Sequence, residues 1–213
     1  MMKKAVVFLS GGVDSTTCLA IAQSQGYACY ALTFDYGQRN HHEIVCATAI
    51  AKEMEVAEHR IFKVDLQQWK GSALTDATLD VPHERSDVIP ITYVPARNTI
   101  FLSLALAWAE TLGAHDIFFG ANADDQLNYP DCRPEYIDAF VKMANLATRE
   151  RQYQIHTPLL DWDKADIIRK GLSLDVHYSL TLSCYDPDSN GIACGQCDAC
   201  HFRQQGFDAV KED

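Results

Sequence analysis

No stretch of this sequence is long and apolar enough to cross a bilayer. The longest near-apolar run, residues 100–109, is interrupted by Ser103 and falls far short of the ~18 residues a spanning helix needs. No secretory leader is expected either. After Lys3 and Lys4 the segment Ala5-Val6-Val7-Phe8-Leu9 is shorter than the ~7–15 residues of a signal core, and Ser10-Gly11-Gly12-Val13-Asp14 stands where a cleavage site would be. These absences predict a cytoplasmic protein with no membrane partner. Positive charge is scarce: 18 Lys+Arg face 29 Asp+Glu, a net charge of −11. With no evident basic stripe, nucleic acid is not the expected partner. Internal repeats and low-complexity segments are absent as well.

What remains is an ordinary globular composition, 47% hydrophobic and 22% charged over 213 residues. That length suits one domain, or one with an appendage, and a core of its own. Residues 4–9 form a short Val-rich run, the signature of a buried parallel strand. A helix follows from Ser15 to about Gly26. Further strands are predicted at 28–34, 59–65, 116–120 and 154–157, with helices at 39–55, 98–112, 134–149 and up to about Gly171. Pro134 suits the first turn of its helix, and Asp161 or Asp163 the cap of the last one. Alternating strands and helices predict right-handed crossovers and a parallel sheet. Helix 98–112 is apolar nearly all round, which places it in the core or half in a dimer interface. Residues 66–97 have no clear period, 121–133 read as polar loop, and the chain from Ser183 reads as loop-rich.

Cysteine is not scarce, and its distribution is uneven. Cys18, Cys29, Cys46 and Cys132 are scattered, whereas Cys184, Cys194, Cys197 and Cys200 fall within 17 residues. In a reducing compartment such a cluster reads as metal ligands rather than disulfides. Four thiolates make a closed tetrahedral zinc site, one ion per chain, with Gly191 and Gly195 allowing the turns around it. An iron–sulfur cluster is the rival, but the expected fourth Cys-Pro does not follow Cys200. His201 is surplus to a four-ligand set.

The turn Ser10-Gly11-Gly12-Val13-Asp14-Ser15-Thr16 joins the first strand to the first helix. Glycine there lets an anion approach the backbone, and the helix supplies unpaired N–H groups at its positive end. Asp14 repels phosphate, so it holds Mg²⁺ or turns away. The loop lacks the Lys of a Walker motif and the three glycines of a dinucleotide fingerprint. Ligands of doubly wound sheets lie beyond the C-terminal strand ends, at the switch point. If strand four lies beside strand one, Gly120, Thr33-Phe34-Asp35-Tyr36 and the Arg97-Asn98 pair converge on this loop.

The loop Ser10-Gly11-Gly12-Val13-Asp14-Ser15 resembles the pyrophosphate loop of the N-type ATP pyrophosphatases. Phe34-Asp35-Tyr36-Gly37-Gln38-Arg39, Val94-Pro95-Ala96-Arg97-Asn98, Tyr129-Pro130-Asp131-Cys132-Arg133 and the cysteine cluster extend the match. Together they resemble the 7-cyano-7-deazaguanine synthase family over roughly residues 4–205. The resemblance implies a Rossmann-like doubly wound α/β fold with a five-stranded parallel sheet. It implies an ATP-binding unit at 1–180 and a zinc-binding region at 181–213. ATP, with Mg²⁺, would sit on Phe8, Leu9, Ser10, Gly11, Gly12, Val13, Asp14, Ser15, Thr16, Thr17 and Cys18. Zinc would be held by Cys184, Cys194, Cys197 and Cys200.

The implied activity is a ligase reaction joining 7-carboxy-7-deazaguanine and ammonia, through an acyl adenylate and an amide, to the nitrile. For the substrate, Asp125 is placed at the end of strand four to accept from guanine-like N–H groups. Arg97, Asn98, Asp131 and Arg133 are placed around the carboxylate and phosphates, and Phe34, Tyr36 or Tyr129 stack on a heterocycle. Core packing is the competing role for each aromatic. A homodimer is the expected assembly. A tRNA-modifying sulfur or amine transferase would use the same loop, but the charge of −11 and the lack of an RNA-binding domain oppose it. A zinc-knuckle adaptor would need no such loop.

Overall fold

The computed structural model describes residues 2–82 and 89–211. Residues 83–88 of the long loop, and positions 1, 212 and 213 at the ends of the two expected units, lie outside the described residues.

The sheet is built of β1 (Lys3–Phe8), β2 (Tyr27–Asp35), β3 (Glu58–Lys63), β4 (Asp116–Phe118) and β5 (Gln154–His156). All pairings are parallel, in the order β3-β2-β1-β4-β5. The chain starts in the middle, runs to one edge, then crosses back, so the switch point falls between β1 and β4. β1 is central because it is apolar on both faces: Val6 and Phe8 enter one core, Ala5, Val7 and Leu9 the other.

Helices α1 (Val13–Ser24), α2 (His42–Glu53) and α6 (Lys164–Leu172) cover one face, through Leu19, Ile50 and Ile167. Helices α3 (Arg97–Leu112) and α5 (Pro134–Ala147) cover the other, through Leu102, Trp108 and Phe140. The apolar helix at 98–112 is therefore core, with Phe101, Leu102, Ala105 and Ala109 buried. Pro134 opens α5, and Asp163 caps α6 by accepting from the Asp166 N–H at 2.8 Å.

Two expectations need correction. The stretch 121–133 is not all loop: it contains α4 (Ala123–Asn128) and a 3₁₀ turn at Pro130–Cys132. Helix α4 buries none of its residues, so no apolar period could announce it. A capping box between Asn122 and Asp125 starts it instead. Strand β4 ends at Phe118, so Asp125 lies on α4 rather than at the strand end.

The second correction is α7 (Asp198–Lys211), a helix in the stretch read as loop-rich. Gly206 near its middle argues against a helix by propensity. Packing overrides that. A Cβ on Gly206 would lie 2.6 Å from Lys164 Cγ and 2.8 Å from Ile168 Cδ1, so glycine lets α7 press onto α6.

Candidate active site

Gly11 has φ of +86°, and a Cβ there would lie 2.3 Å from the Glu43 carbonyl oxygen. The loop therefore lies directly against the first turn of α2. Gly12 precedes α1, and no side chain caps that helix. Instead the Ser15 and Thr16 hydroxyls donate to the Gly12 carbonyl, at 3.2 and 2.7 Å, and the Ser10 N–H donates to Ser15 Oγ at 3.1 Å. The hydroxyls thus brace the loop and leave the first N–H groups of α1 for a ligand. From below, the Leu182 N–H donates to the Gly11 carbonyl at 3.0 Å.

These elements frame a cleft of about 310 Å³ at the β1/β4 switch point. Phe8, Leu9, Ser10, Gly12, Asp14 and Ser15 line it, and Gly120 closes it beside Asp14. Gly11, Val13, Thr16, Thr17 and Cys18 do not line the cleft. Thr17 Oγ1 is instead bonded to the Tyr178 hydroxyl at 2.6 Å, and Cys18 is fully buried, its thiol pushed up by that burial.

Asp14 turns away from the loop's donors and is held by Lys164 Nζ at 2.6 and 2.7 Å and by Asn122 Nδ2 at 3.2 Å. Lys164 begins α6, just beyond the C-terminal end of β5. Burial opposes its charge, but Asp14, then Asp125 and Asp124, outweigh it and hold the ammonium above its ordinary pKa. Burial and the Asp14 carboxylate push Asp125 up to about 6, against the pull of Lys164, the Asn122 N–H and Arg97.

The cleft also holds Phe34, Tyr36, Arg97, Asn98, Asp125 and Tyr129. Phe34 already stacks on Phe101 at 3.8 Å, so its ring face is used in the core. Ala96 adopts a left-handed conformation, φ 55°, immediately before Arg97. That strained residue aims the guanidinium at Tyr36, whose hydroxyl accepts from Nη1 at 3.4 Å. Tyr129 pairs with Tyr93. Asp131 and Arg133 do not line the cleft. Asp131 accepts from the Asn98 N–H at 3.1 Å and so fixes the start of α3, while Arg133 directly precedes α5.

Lys164, Glu43 and Arg203 are among the cleft residues that sequence reasoning missed. Lys164 had one available signal, its place after the last strand. Glu43 and Arg203 had none. Gln38 ties Glu43 to β2: its Nε2 donates to Glu43 Oε1 at 2.8 Å and to the Phe34 carbonyl at 3.0 Å, while its Oε1 accepts from the Tyr36 N–H at 2.7 Å. Burial pushes Glu43 up to about 7, against Gln38 and the charge of Arg97. Arg203, on α7, donates to Thr181 Oγ1 at 2.7 Å and to the Tyr178 carbonyl at 3.1 Å.

The sulfurs of Cys184, Cys194, Cys197 and Cys200 all lie within 4.8 Å of one another. The Cys197–Cys200 and Cys194–Cys200 separations are 3.6 and 3.9 Å. A tetrahedron of ~2.3 Å metal–sulfur bonds needs edges of about 3.8 Å, so the cluster fits one ion. Backbone N–H groups of Cys194 and Tyr185 donate to Cys184 and Cys197 sulfurs at 3.2 and 3.4 Å, as bound thiolates require. Ala73 and Val81 from the long loop cover the cluster.

A parallel sheet with a cleft at its switch point beside this glycine loop defines a Rossmann-like α/β protein. An NMN synthetase from Francisella tularensis shares the fold, with a TM-score of 0.55 at 18% identity over 100% of this chain and 78% of that one. Residues 4–211 match the family model for queuosine biosynthesis protein QueC, and the chain belongs to that family. A 7-cyano-7-deazaguanine synthase of Nitrosomonas eutropha is 59% identical over 98% of this chain and 95% of its own length. One from Dechloromonas aromatica is 59% identical over 99% and 96%.

Proposed function

We propose that this chain uses ATP to convert 7-carboxy-7-deazaguanine and ammonia to 7-cyano-7-deazaguanine. One observation carries the reading: the uncapped α1 N-terminus, preceded by Gly12, opens into the cleft that also holds Arg97 and Asp125. A carboxylate is a poor electrophile and must be activated. Its oxygen attacks the α-phosphorus, and pyrophosphate departs onto fixed backbone donors, where growing charge is best stabilised. Ammonia displaces AMP to give the amide. Amide oxygen is activated in turn by a second ATP, and loss of AMP leaves the nitrile.

Arg97 and Asn98 orient the substrate carboxylate, Asp125 accepts from the heterocycle's N–H groups, and Tyr36 and Tyr129 flank the ring. Asp131 and Arg133 act at one remove, by setting the starts of α3 and α5. Mg²⁺ carried by ATP would supply charge neutralisation for the pyrophosphate on the loop of Ser10, Gly12 and Ser15. Lys164 already balances Asp14 and so brings a cation of the protein's own to the cleft. We assign the ion at Cys184, Cys194, Cys197 and Cys200 as zinc, with a structural role, because all four positions are filled by protein. The 181–213 region thereby supports the 1–180 unit. The exposed Ile61 on edge strand β3 supports a homodimer, and the charge of −11 supports a cytoplasmic enzyme without a nucleic-acid partner.

Exchange of labelled pyrophosphate into ATP tests the reading. Exchange is expected with 7-carboxy-7-deazaguanine alone, before any ammonium is added. Exchange that needs tRNA instead would favour a tRNA-modifying pyrophosphatase and contradict the proposal.

A further inference from the structure

Glu43 is a cleft carboxylate that faces neither Lys164 nor a helix cap. Gln38 Nε2 holds its Oε1 at 2.8 Å, and Oε2 has no hydrogen-bond donor among the described residues. The backbone of Glu43 lies against Gly11, and its side chain shares the cleft with Arg97 and Tyr36. It therefore stands between the pyrophosphate loop and the cation assigned to the substrate carboxylate. Asp125, another half-buried cleft acid, accepts from the Asn122 N–H and is a partner in the α4 capping box.

We infer that Glu43 is the catalytic base of the two nitrogen steps, taking the proton from the attacking ammonia and then the protons from the amide nitrogen. The inference rests on the proposed reaction. In the first step the ammonia nitrogen bonds to the carbonyl carbon, and the carbon–oxygen bond to AMP breaks with its electron pair on AMP. The surplus proton on nitrogen passes to Glu43 Oε2 and on to water. In dehydration the amide oxygen bonds to the α-phosphorus of a second ATP and pyrophosphate leaves. One N–H proton passes to Glu43, giving the imidate adenylate. The second N–H proton follows as the carbon–oxygen bond breaks, and AMP leaves the nitrile. No oxidant or reductant is needed.

The groups facing Glu43 are Arg97 from α3, Tyr36 and Gln38 from the β2–α2 connection, and Cys46 on its own helix. Arg97 favours the ionised form and burial opposes it, leaving the carboxyl near the pH at which a base both ionises and accepts protons well. Because the ionised form is the active one, the nitrogen steps should accelerate as pH rises through about 7.

Wild type, Glu43→Gln and Glu43→Asp are compared for carboxylate-dependent pyrophosphate exchange and, at fixed free ammonia, for amide and nitrile formation across pH. Glu43→Gln keeps the acceptor for Gln38, so the fold and the exchange should survive. Amide formation should fall by about 10²-fold or more, the acid limb of its pH profile should vanish, and Glu43→Asp should restore both in part. An unchanged amide rate and limb in Glu43→Gln, with exchange intact, would overturn the role of Glu43 alone. Equal losses of exchange and amide formation would make Glu43 a structural residue. No exchange in wild type would remove the proposed reaction and this inference with it.

Discussion

Gly11→Ala is expected to abolish pyrophosphate chemistry, by roughly 10²–10³-fold, the range seen when one fixed donor of a developing anion is lost. Two effects combine. The residue sits at φ +86°, a conformation that costs an ordinary side chain about 1–2 kcal/mol. The new Cβ would also fall 2.3 Å from the Glu43 carbonyl oxygen and 2.9 Å from the Ala47 nitrogen. Both contacts are backbone in α2, so neither atom can swing aside. The loop must lift away from α2 and take its N–H groups out of register. Gly26→Ala separates the two effects. Its φ is +84°, yet nothing lies within 4 Å of where the added methyl would stand. That variant should lose only modest stability and keep full turnover. Equal activity in Gly11→Ala and wild type, measured as carboxylate-dependent pyrophosphate release, would refute the role of the loop.

Removal of the cysteine-bound metal should be as damaging by another route. Cys197→Ser, or a strong chelator, leaves thiols that have little apolar core to replace the ion: among the described residues, Ala73 and Val81 are their only buried companions outside the set. Structural zinc contributes on the order of 10 kcal/mol to the folding of such regions. The melting temperature should fall by more than about 10 °C, since each kcal/mol shifts a domain of this size by about 2–4 °C. Turnover should vanish too. The Leu182 N–H that supports Gly11, and Arg203 on α7, both depend on the segment that the ion anchors. Elemental analysis should find one zinc per chain. Iron with visible absorbance would replace the zinc assignment by a cluster, and Cys46→Ser should leave the metal content unchanged.

The contrast between these residues and the missed ones explains what was legible. The glycine loop and the cysteine cluster are local: their chemistry is written within a few consecutive positions, and the strand before the loop is apolar on both faces. The alternation of strands and helices made the parallel sheet legible, whereas the placement of β4 beside β1 was only a condition of the reading until the structure supplied it. Lys164 was not legible as a site residue because its partner Asp14 lies 150 positions away. Glu43 was hidden as an ordinary acid in the first turn of a helix, where a negative charge needs no further reason. Its meaning comes from Gln38 and from the backbone approach of Gly11, both tertiary facts. Helix α7 was obscured by Gly206, whose presence argues against a helix locally and is explained only by the closeness of α6. Asp131 was legible as important but not in its role, since its carboxylate reaches the Asn98 N–H rather than the cleft.

Product analysis tests the central claim most directly. The protein is incubated with 7-carboxy-7-deazaguanine, ATP, Mg²⁺ and ammonium, and the products are read by mass spectrometry. The expected products are the nitrile with AMP and pyrophosphate, and the amide at early times, with no ATP cleavage when the carboxylate is omitted. ADP and phosphate in place of AMP and pyrophosphate, or an unchanged carboxylate, would contradict the account.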